Sequence, residues 1–264
     1  MSDITTLEKT SESTQLQMRK GTFISANAIK YFAVFAMLID HIAWCFVDTN
    51  SILGIIMHLI GRMTAPIMTY FIVEGYHYTK NVNKYLARLA IFAAVSWIPF
   101  LFMEYGTFLP FTFVDGNLYF NPAQGVIYTF FLTLLALKTV HSEDLPKPAK
   151  VVLVIGLCLL SSIGDWFFFP IVWALLLDKY RGSFKKQAAA FAVSSVILIT
   201  LMIMFLTDGF GNNWFQYGVL LALIPLYFYN GEKGRGGRFG KWFFYVFYPA
   251  HLFILGILRW YVFN

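Results

Sequence analysis

Long apolar runs separated by short polar connections extend from about residue 26 to the end of the chain. A bilayer core is about 30 Å thick, and a helix needs about 20 residues to cross it. The pattern therefore predicts an all-α, polytopic membrane bundle of about nine transmembrane helices. The predicted spans cover residues 26–47, 52–78, 84–104, 121–140, 149–163, 166–180, 186–206, 213–230 and 243–263. The fifth and sixth are short, and a tight turn at residues 162–165 leaves open a single broken element or a re-entrant pair.

The positions of the basic residues predict how this bundle is oriented. All Lys and Arg residues except Arg62 and Arg259 lie in the N-terminal stretch or at alternate connections, and the connections between those carry none. Basic residues concentrate in the cytoplasmic connections of membrane proteins. The pattern predicts a cytoplasmic N-terminus and a C-terminus on the opposite side. We expect a polar cytoplasmic tail over residues 1–24 and a single transmembrane domain over residues 25–264.

Composition supports a membrane protein. Of the 264 residues, 58% are hydrophobic and 13% are charged, whereas an ordinary soluble domain is about 25% charged. The apolar content excludes a disordered chain. Cys45 and Cys158 both lie in apolar runs, which excludes a disulfide framework. The net charge of +6 follows from the orientation pattern, so the expected partner is a lipid bilayer and not a nucleic acid.

Several ionisable side chains are predicted to lie inside the spans, where insertion is costly and such groups usually mark function. Asp40 and His41 belong to the first span, Arg62 and Glu74 to the second, and His251 to the last. At 1.5 Å of rise per residue, Arg62 lies within reach of Asp40 and His251, but about 18 Å from Glu74. Glu74 therefore needs another partner. A purely structural ion pair between Asp40 and Arg62 is the alternative interpretation.

The other three histidines are not predicted to be catalytic. His58 is four residues before Arg62 and shares its helix face, so we expect it to make a polar contact and not to act as a catalyst. His77 and His141 fall at the cytoplasmic boundaries of their spans, where water hydrates them. No metal site is predicted.

A glycine-rich basic segment at residues 230–241 (NGEKGRGGRFGK) leads into the last span. Glycines let a backbone approach a phosphate, which N–H groups and Lys or Arg side chains can hold. The segment matches neither the Walker pattern nor the dinucleotide-binding pattern. A flexible connector that follows the charge rule is the alternative. The expected phosphate-binding residues are Asn230, Gly231, Lys233, Gly234, Arg235 and Arg238.

Several sequence blocks, together specific although each is weak alone, carry a resemblance. They are residues 36–41 (AMLIDH), 60–67 (IGRMTAPI), 71–76 (FIVEGY), 224–227 (IPLY), 229–234 (YNGEKG) and 244–252 (FYVFYPAHL). In this order, over residues 26–258, the chain resembles the TraX family, the conjugal-transfer F-pilin acetylases. The middle of the chain follows the family loosely, and Pro170 stands where the family leads us to expect a glycine.

The resemblance implies a membrane-embedded acetyltransferase of the bacterial cytoplasmic (inner) membrane. Acetyl-CoA would be the donor, and an amine or hydroxyl of a peptide, pilin or glycan would be the acceptor. His41 or His251 would act as general base, and Asp40 would orient a residue on another helix. Arg62 would stabilise the oxyanion, and Glu74 would orient the donor or relay a proton.

Two other classes of function compete with this one. A proton-coupled secondary transporter would use Asp40, His41, Glu74 and His251 as a proton relay, but nine spans do not divide into two equal repeats. A non-catalytic scaffold would not explain why ionisable residues lie inside the membrane spans. The sequence leaves open the acceptor, the choice of histidine, the oligomeric state and whether the acetyl group crosses the membrane.

Overall fold

A computed structural model describes residues 22–114, 117–207, 213–234 and 237–263. Most of the predicted polar tail lies outside the described residues. The helices are α1 (Ala26–Phe46), α2 (Ile52–Gly61), α3 (Thr64–Tyr78), α4 (Val82–Tyr105), α5 (Val126–Val140), α6 (Lys147–Leu160), α7 (Phe169–Lys179), α8 (Phe184–Leu206), α9 (Leu223–Tyr227) and α10 (Gly237–Ile257). Two 3-10 segments (Ser161–Ile163 and Asn213–Ala222) and a π turn (Leu258–Val262) complete the helical structure.

A short antiparallel hairpin lies in the connection between α4 and α5. Its strands are β1 (Phe111–Val114) and β2 (Asn117–Phe120), with Phe111 opposite Phe120 and Val114 opposite Asn117. The sequence prediction of an all-α protein did not include this hairpin. Since the side chains of β2 are all exposed, this strand adds nothing to the core.

The described residues form a helical membrane protein with five helices long and apolar enough to cross a bilayer. These candidate spans are Ala26–Phe46, Ile52–Tyr78, Val82–Tyr105, Phe184–Phe205 and Trp242–Val262. The helices at the fourth, fifth and sixth predicted spans are shorter, and α7, with 11 residues, rises only about 17 Å. The eighth predicted span begins as a 3-10 segment. The total of nine spans and the orientation stay predictions.

Local sequence signals set the helix ends. The side chains of Ser51 and Asn81 accept hydrogen bonds from the backbone N–H groups of Gly54 (3.0 Å) and Lys84 (2.8 Å), and such caps satisfy amides that lack a partner within the helix. Gly106 ends α4 with a φ of 70°, a conformation that glycine adopts without steric cost.

The second candidate span is interrupted at Arg62 and Met63, between α2 and α3. Pro66 lies four residues after Arg62. A proline inside a helix lacks an N–H group, and its ring clashes with the carbonyl four residues earlier. The sequence places the helix break at Arg62 for this reason, and the break leaves Arg62 at a corner of the chain.

The interior is built on α5 and α7, where Leu134 and Trp173 are fully buried. Helix α4 packs against α5 and α10, α1 packs against α2, and α7 packs against α3 and α8. Helices α6 and α8 instead present large apolar side chains outward, including Val151, Val152, Leu159, Val193, Ile197 and Phe205. A lipid environment accounts for apolar exposure on this scale.

Contacts between helix ends define two ends of the bundle. At the first, which we call the basic end, Lys138 at the end of α5 donates to Asn83 at the start of α4. The isolated bridge between Ile24 and Tyr229 joins the start of α1 to the chain after α9 at that end. At the second, the cavity end, Arg259 after α10 donates to the Met103 carbonyl near the end of α4.

Candidate active site

Asp40, on α1, accepts hydrogen bonds from α2 and from the break between α2 and α3. Its Oδ2 accepts a hydrogen bond from Arg62 Nη2 (2.6 Å), and its Oδ1 accepts one from His58 Nδ1 (2.8 Å). Asp40 is buried, and His58 has no exposed surface. These contacts confirm that Arg62 reaches Asp40 and that His58 makes a polar contact. They also confirm that the partners of Asp40 lie outside its own helix. A Cβ atom at Gly61 would overlap Asp40 Cβ and Cγ, so glycine permits this close approach of α1 and α2.

The Arg62 guanidinium lies among aromatic rings. Its carbon is 4.8 Å from the ring centroid of Trp166, 5.8 Å from that of Phe215 and 5.9 Å from that of Trp44. Cations are attracted to the faces of such rings. Arg62 Nη1 makes only a long hydrogen bond, of 3.3 Å, to Gln216, and the buried Nε has no partner among the described residues. Arg62 therefore retains unused hydrogen-bond donors.

His41 and His251 form a buried pair between α1 and α10. His41 Nδ1 lies 2.8 Å from His251 Nε2, and His251 Nδ1 lies 2.9 Å from the Phe247 carbonyl oxygen. Because a carbonyl only accepts, His251 Nδ1 carries the proton, and in the neutral ring its Nε2 accepts from His41 Nδ1. Neutral His41 then has its lone pair on Nε2, which makes no hydrogen bond among the described residues. Helical rise allows His251 to reach Arg62, but the hydrogen-bond partner of His251 on another helix is His41.

A cavity of about 580 Å³ lies at the cavity end and reaches Asp40, His41 and Arg62. Its walls come from the ends of α1 and α4 and from the connections before α5, before α7 and before α9. The other lining residues are Trp44, Phe100, Glu104, Tyr105, Asn121, Pro122, Ala123, Gln124, Ser162, Ile163, Gly164, Asp165, Phe167 and Gln216. His41 and Arg62 are thus both accessible from one end of the bundle.

Two acidic residues of the cavity wall, Glu104 and Asp165, are absent from the sequence-predicted set. Asp165 lies in the connection before α7, where its side chain is exposed to the cavity but has many protein groups around it. Desolvation by the surrounding protein raises the pKa of Asp165 to about 7, against the opposing effect of the Arg62 charge. The sequence could have indicated both residues. Glu104 lies next to a predicted non-cytoplasmic connection that lacks basic residues, and Asp165 lies within another.

Glu74 lies away from this constellation, at the basic end. Its Oε1 accepts a hydrogen bond from Arg181 Nε at 3.2 Å; Glu74 is buried, and the Arg181 side chain is 35% exposed. The predicted need for a partner other than Arg62 is confirmed. Sequence reasoning missed Arg181 as that partner because it assigned this residue only to the orientation pattern.

The described part of the glycine-rich segment, residues 230–234, packs against the start of α1. The backbone N–H groups of Ala26 and Asn27 donate to the carbonyls of Glu232 (2.8 Å) and Lys233 (3.1 Å). Gly234 has a φ of 75°, and a Cβ there would overlap Ser25 Oγ. The segment therefore caps α1 with its own carbonyl groups, and these two helix amides are not free for a phosphate.

Basic side chains gather beside this segment. Lys30 and Lys233 lie close enough for their charges to repel one another, and Lys30 Nζ also lies 4.7 Å from the ring centroid of Phe71. Arg235 lies outside the described residues, as does the side chain of Arg238. The ammonium groups of Lys30 and Lys233 thus supply positive charge beside the segment.

Fold and site define a helical membrane protein with a buried ionisable constellation beneath a cavity. The chain belongs to the TraX family, because the family described as TraX protein matches residues 25–259. It is also similar to a protein of Dichelobacter nodosus named "Probable fimbrial assembly protein FimC, serogroup H1". The two are 31% identical over 245 residues, which cover 90% of this chain and 97% of the relative. No solved structure matches the chain.

Proposed function

We propose that this chain is an acetyl-CoA-dependent acetyltransferase of the bacterial inner membrane, with nine spans and a cytoplasmic N-terminus. The observation that supports this most strongly is the His41–His251 pair, which leaves a lone pair on His41 Nε2 at the cavity. A neutral imidazole is suited to general-base catalysis near neutral pH. Arg62 lines the same cavity and retains unused hydrogen-bond donors, so it is suited to stabilise an oxyanion.

The proposed step moves one acetyl group and one proton. The acceptor amine, if it enters as the ammonium ion, first loses one proton to water in the cavity. Its neutral nitrogen then attacks the thioester carbonyl carbon while His41 Nε2 takes the proton that this nitrogen loses on forming the amide. Arg62 N–H groups stabilise the negative charge on the carbonyl oxygen. The carbon–sulfur bond then breaks, and the proton on His41 passes to the departing CoA thiolate. His251 holds His41 in the required tautomer.

The donor and the acceptor would approach from opposite ends. The charges of Lys30 and Lys233 support the basic end as the site for the CoA phosphates, and Asn230, Gly231, Gly234, Arg235 and Arg238 would be further contacts. From residue 237 to His251, α10 rises about 21 Å, and the pantetheine arm would lie along this helix. The acceptor would enter through the cavity. In this scheme, Glu74 and Arg181 orient the donor at the basic end.

The cavity lining favours an amine over a hydroxyl acceptor. Asp40, Glu104 and Asp165 are three acidic residues on its wall, and Arg62 is the sole lysine or arginine among its lining residues. Opposite charge raises the local concentration of a ligand in a cleft, so a cationic amine is preferred. Because the relative is named a fimbrial assembly protein, we propose the amino terminus of a pilin-like peptide as acceptor.

A proton relay for transport fits the site less well. It would need Glu74 to connect to His41 and His251. Among the described residues, no hydrogen bond links the Glu74–Arg181 pair at the basic end to the histidine pair. We therefore place the transporter second to the acetyltransferase.

The donor site can be tested by replacing Lys233, Arg235 and Arg238 together with Gln and measuring CoA binding by calorimetry. The substitution removes positive charge from the glycine-rich segment, so we expect at least about a tenfold weaker affinity, from bonds to charged groups of about 1.5–3 kcal/mol each. Binding as tight as that of the wild type would disprove the donor site.

A matched control removes the same charge elsewhere at the basic end. The triple replacement of Lys179, Lys185 and Lys186 with Gln should leave CoA binding within about twofold, since rim charges contribute little by themselves. Equal losses of CoA affinity in both triple variants would mean that CoA binding depends only on the overall positive potential of the basic end. That result would refute a specific CoA site on the glycine-rich segment.

The base can be tested separately with His41→Ala. This variant should bind CoA like the wild type and lose acetyl transfer by at least about 100-fold, a typical contribution of a general base. Retained turnover would remove His41 from the mechanism and leave His251 as the remaining histidine of the pair.

A further inference from the structure

Three side chains from three helices converge at the basic end, and the proposed acetyl transfer uses none of them. His77 lies in the last turn of α3, His141 directly follows α5, and Asp178 lies in the last turn of α7. His77 Nε2 is 2.6 Å from Asp178 Oδ1, and His141 Nε2 is 2.8 Å from Oδ2. We call these three residues the His–Asp–His cluster.

The cluster has the donor atoms of a transition-metal site. Two imidazole nitrogens and one carboxylate are a common set of three protein ligands for zinc, with water in the fourth position. In a tetrahedral zinc site with bonds of 2.0–2.1 Å, two donor atoms lie about 3.3 Å apart. The donor atoms of the cluster all lie within 4.8 Å of one another. Small side-chain movements would therefore bring all three onto one ion.

Packing holds both imidazole rings in place. The Tyr76 ring stacks on His141 with centroids 5.1 Å apart and 30° between the planes. His77 packs edge-on against Tyr76 at 5.3 Å and against His141 at 5.7 Å. The His141 side chain is 39% exposed and that of Asp178 is 11% exposed. One side of the cluster is thus open to solvent, where a fourth ligand could bind.

The basic side chains close to the cluster in sequence contact other partners. Arg181 forms an ion pair with the buried Glu74, so its charge is offset nearby. Lys138 is engaged by Asn83, and Lys179 Nζ lies 5.4 Å from the ring centroid of Tyr180. The cluster itself contributes the negative charge of Asp178.

We propose that the His–Asp–His cluster is a binding site for a divalent transition metal of the zinc class. Since its ligands come from α3, α5 and α7, one ion would tie together three helix ends on the side where Glu74 lies. The competing interpretation is a metal-free bridge in which both imidazoles donate N–H hydrogen bonds to one carboxylate. A metal site requires that the same two Nε2 atoms be unprotonated.

Cobalt binding by the full chain, without a histidine tag and after treatment with EDTA, separates these interpretations. Titration with Co²⁺ should give the visible absorption of a tetrahedral site, saturating at one ion per chain, and Zn²⁺ should displace it. Because loss even of a residue behind a ligand costs 10–100-fold in affinity, Asp178→Asn should bind at least about 100-fold more weakly. Asp144→Asn, an exposed acidic control near His141, should bind like the wild type.

The site would be refuted if wild-type protein bound no Co²⁺ or Zn²⁺ at about a 100-fold excess, or if Asp178→Asn bound both normally. Thermal unfolding of the wild type alone provides a measurement that needs no variant. Its Tm should fall on chelation and recover with Zn²⁺, since a ligand that binds the folded state stabilises it. An unchanged Tm would also overturn the proposal. Neither measurement depends on acetyl transfer.

Discussion

Gly61 is the position where one added methyl group should disturb the candidate active site most. Its Cβ would overlap the Cβ and Cγ atoms of Asp40, which holds both Arg62 and His58. These Asp40 atoms lie at the base of the side chain, so a simple rotation does not remove the overlap. Either α1 and α2 separate, or the Asp40 carboxylate leaves its two partners.

The two responses bracket the cost of Gly61→Ala. Overpacking of an interior typically costs about 1–3 kcal/mol. Breaking a buried ion pair, which leaves Arg62 without its counter-ion, costs about 3–5 kcal/mol. We therefore expect the free energy of unfolding to fall by about 1–5 kcal/mol, with loss of acetyl transfer if Asp40 moves.

The measurement is unfolding by sodium dodecyl sulfate in mixed micelles, followed by tryptophan fluorescence. Gly156→Ala is the matched control, because nothing lies within 4 Å of a Cβ at this helical glycine. Alanine is better than glycine in a helix by about 0.5–1 kcal/mol, so the control should be unchanged or slightly stabilised. Equal free energies of unfolding for the two variants would refute the assigned packing of Gly61 against Asp40.

Three further predictions concern other contacts. Tyr248→Phe removes the hydroxyl that accepts from the buried Val126 N–H at 3.1 Å, so the free energy of unfolding should fall by about 1–3 kcal/mol, while Tyr245→Phe should change it little. Arg181→Gln should lower it by about 1 kcal/mol, because the buried Glu74 loses a partner that is itself 35% exposed; in a double-mutant cycle, adding Glu74→Gln should cost less than it does alone. The KM for an amine acceptor should rise as the pH falls below about 7, because Asp165 then becomes protonated and the cavity loses negative charge; in Asp165→Asn the KM should not show this rise.

Helical rise was sufficient to predict part of the site. Helical rise brings Asp40 and Arg62 within reach of each other, because their depths, counted from opposite sides of a bilayer core about 30 Å thick, differ by only about 6 Å. The same calculation places Glu74 about 18 Å from Arg62 along the helix axis, which is too far for the two side chains to pair. Depth depends only on position along the chain, so these relations could be obtained without knowing which helices pack together.

Lateral neighbours could not be predicted in this way. The partnership of His41 with His251 depends on α10 packing beside α1, and that of Glu74 with Arg181 depends on α7 packing beside α3. Helical rise gives no information about which helix occupies which position in a bundle. Apolar periodicity is equally uninformative where lipid and protein surroundings are both hydrophobic.

The least predictable parts are those where local backbone differs from a regular helix. The 3-10 segment Asn213–Ala222 brings Phe215 and Gln216 to Arg62, although its composition resembles that of an ordinary span. Gly218 permits this approach, since a Cβ there would overlap the Leu59 carbonyl oxygen. Tertiary packing, and not helix propensity, selects such a segment.

The most direct test of the proposed function is the transfer of radiolabelled acetyl from acetyl-CoA to a pilin-like amino-terminal peptide by purified protein in liposomes. The wild type and Gly156→Ala should acetylate the peptide amine, and His41→Ala should lose transfer by at least about 100-fold while it retains CoA binding. Absence of acetyl-CoA binding by the folded wild-type protein would contradict the account, as would undiminished transfer by His41→Ala.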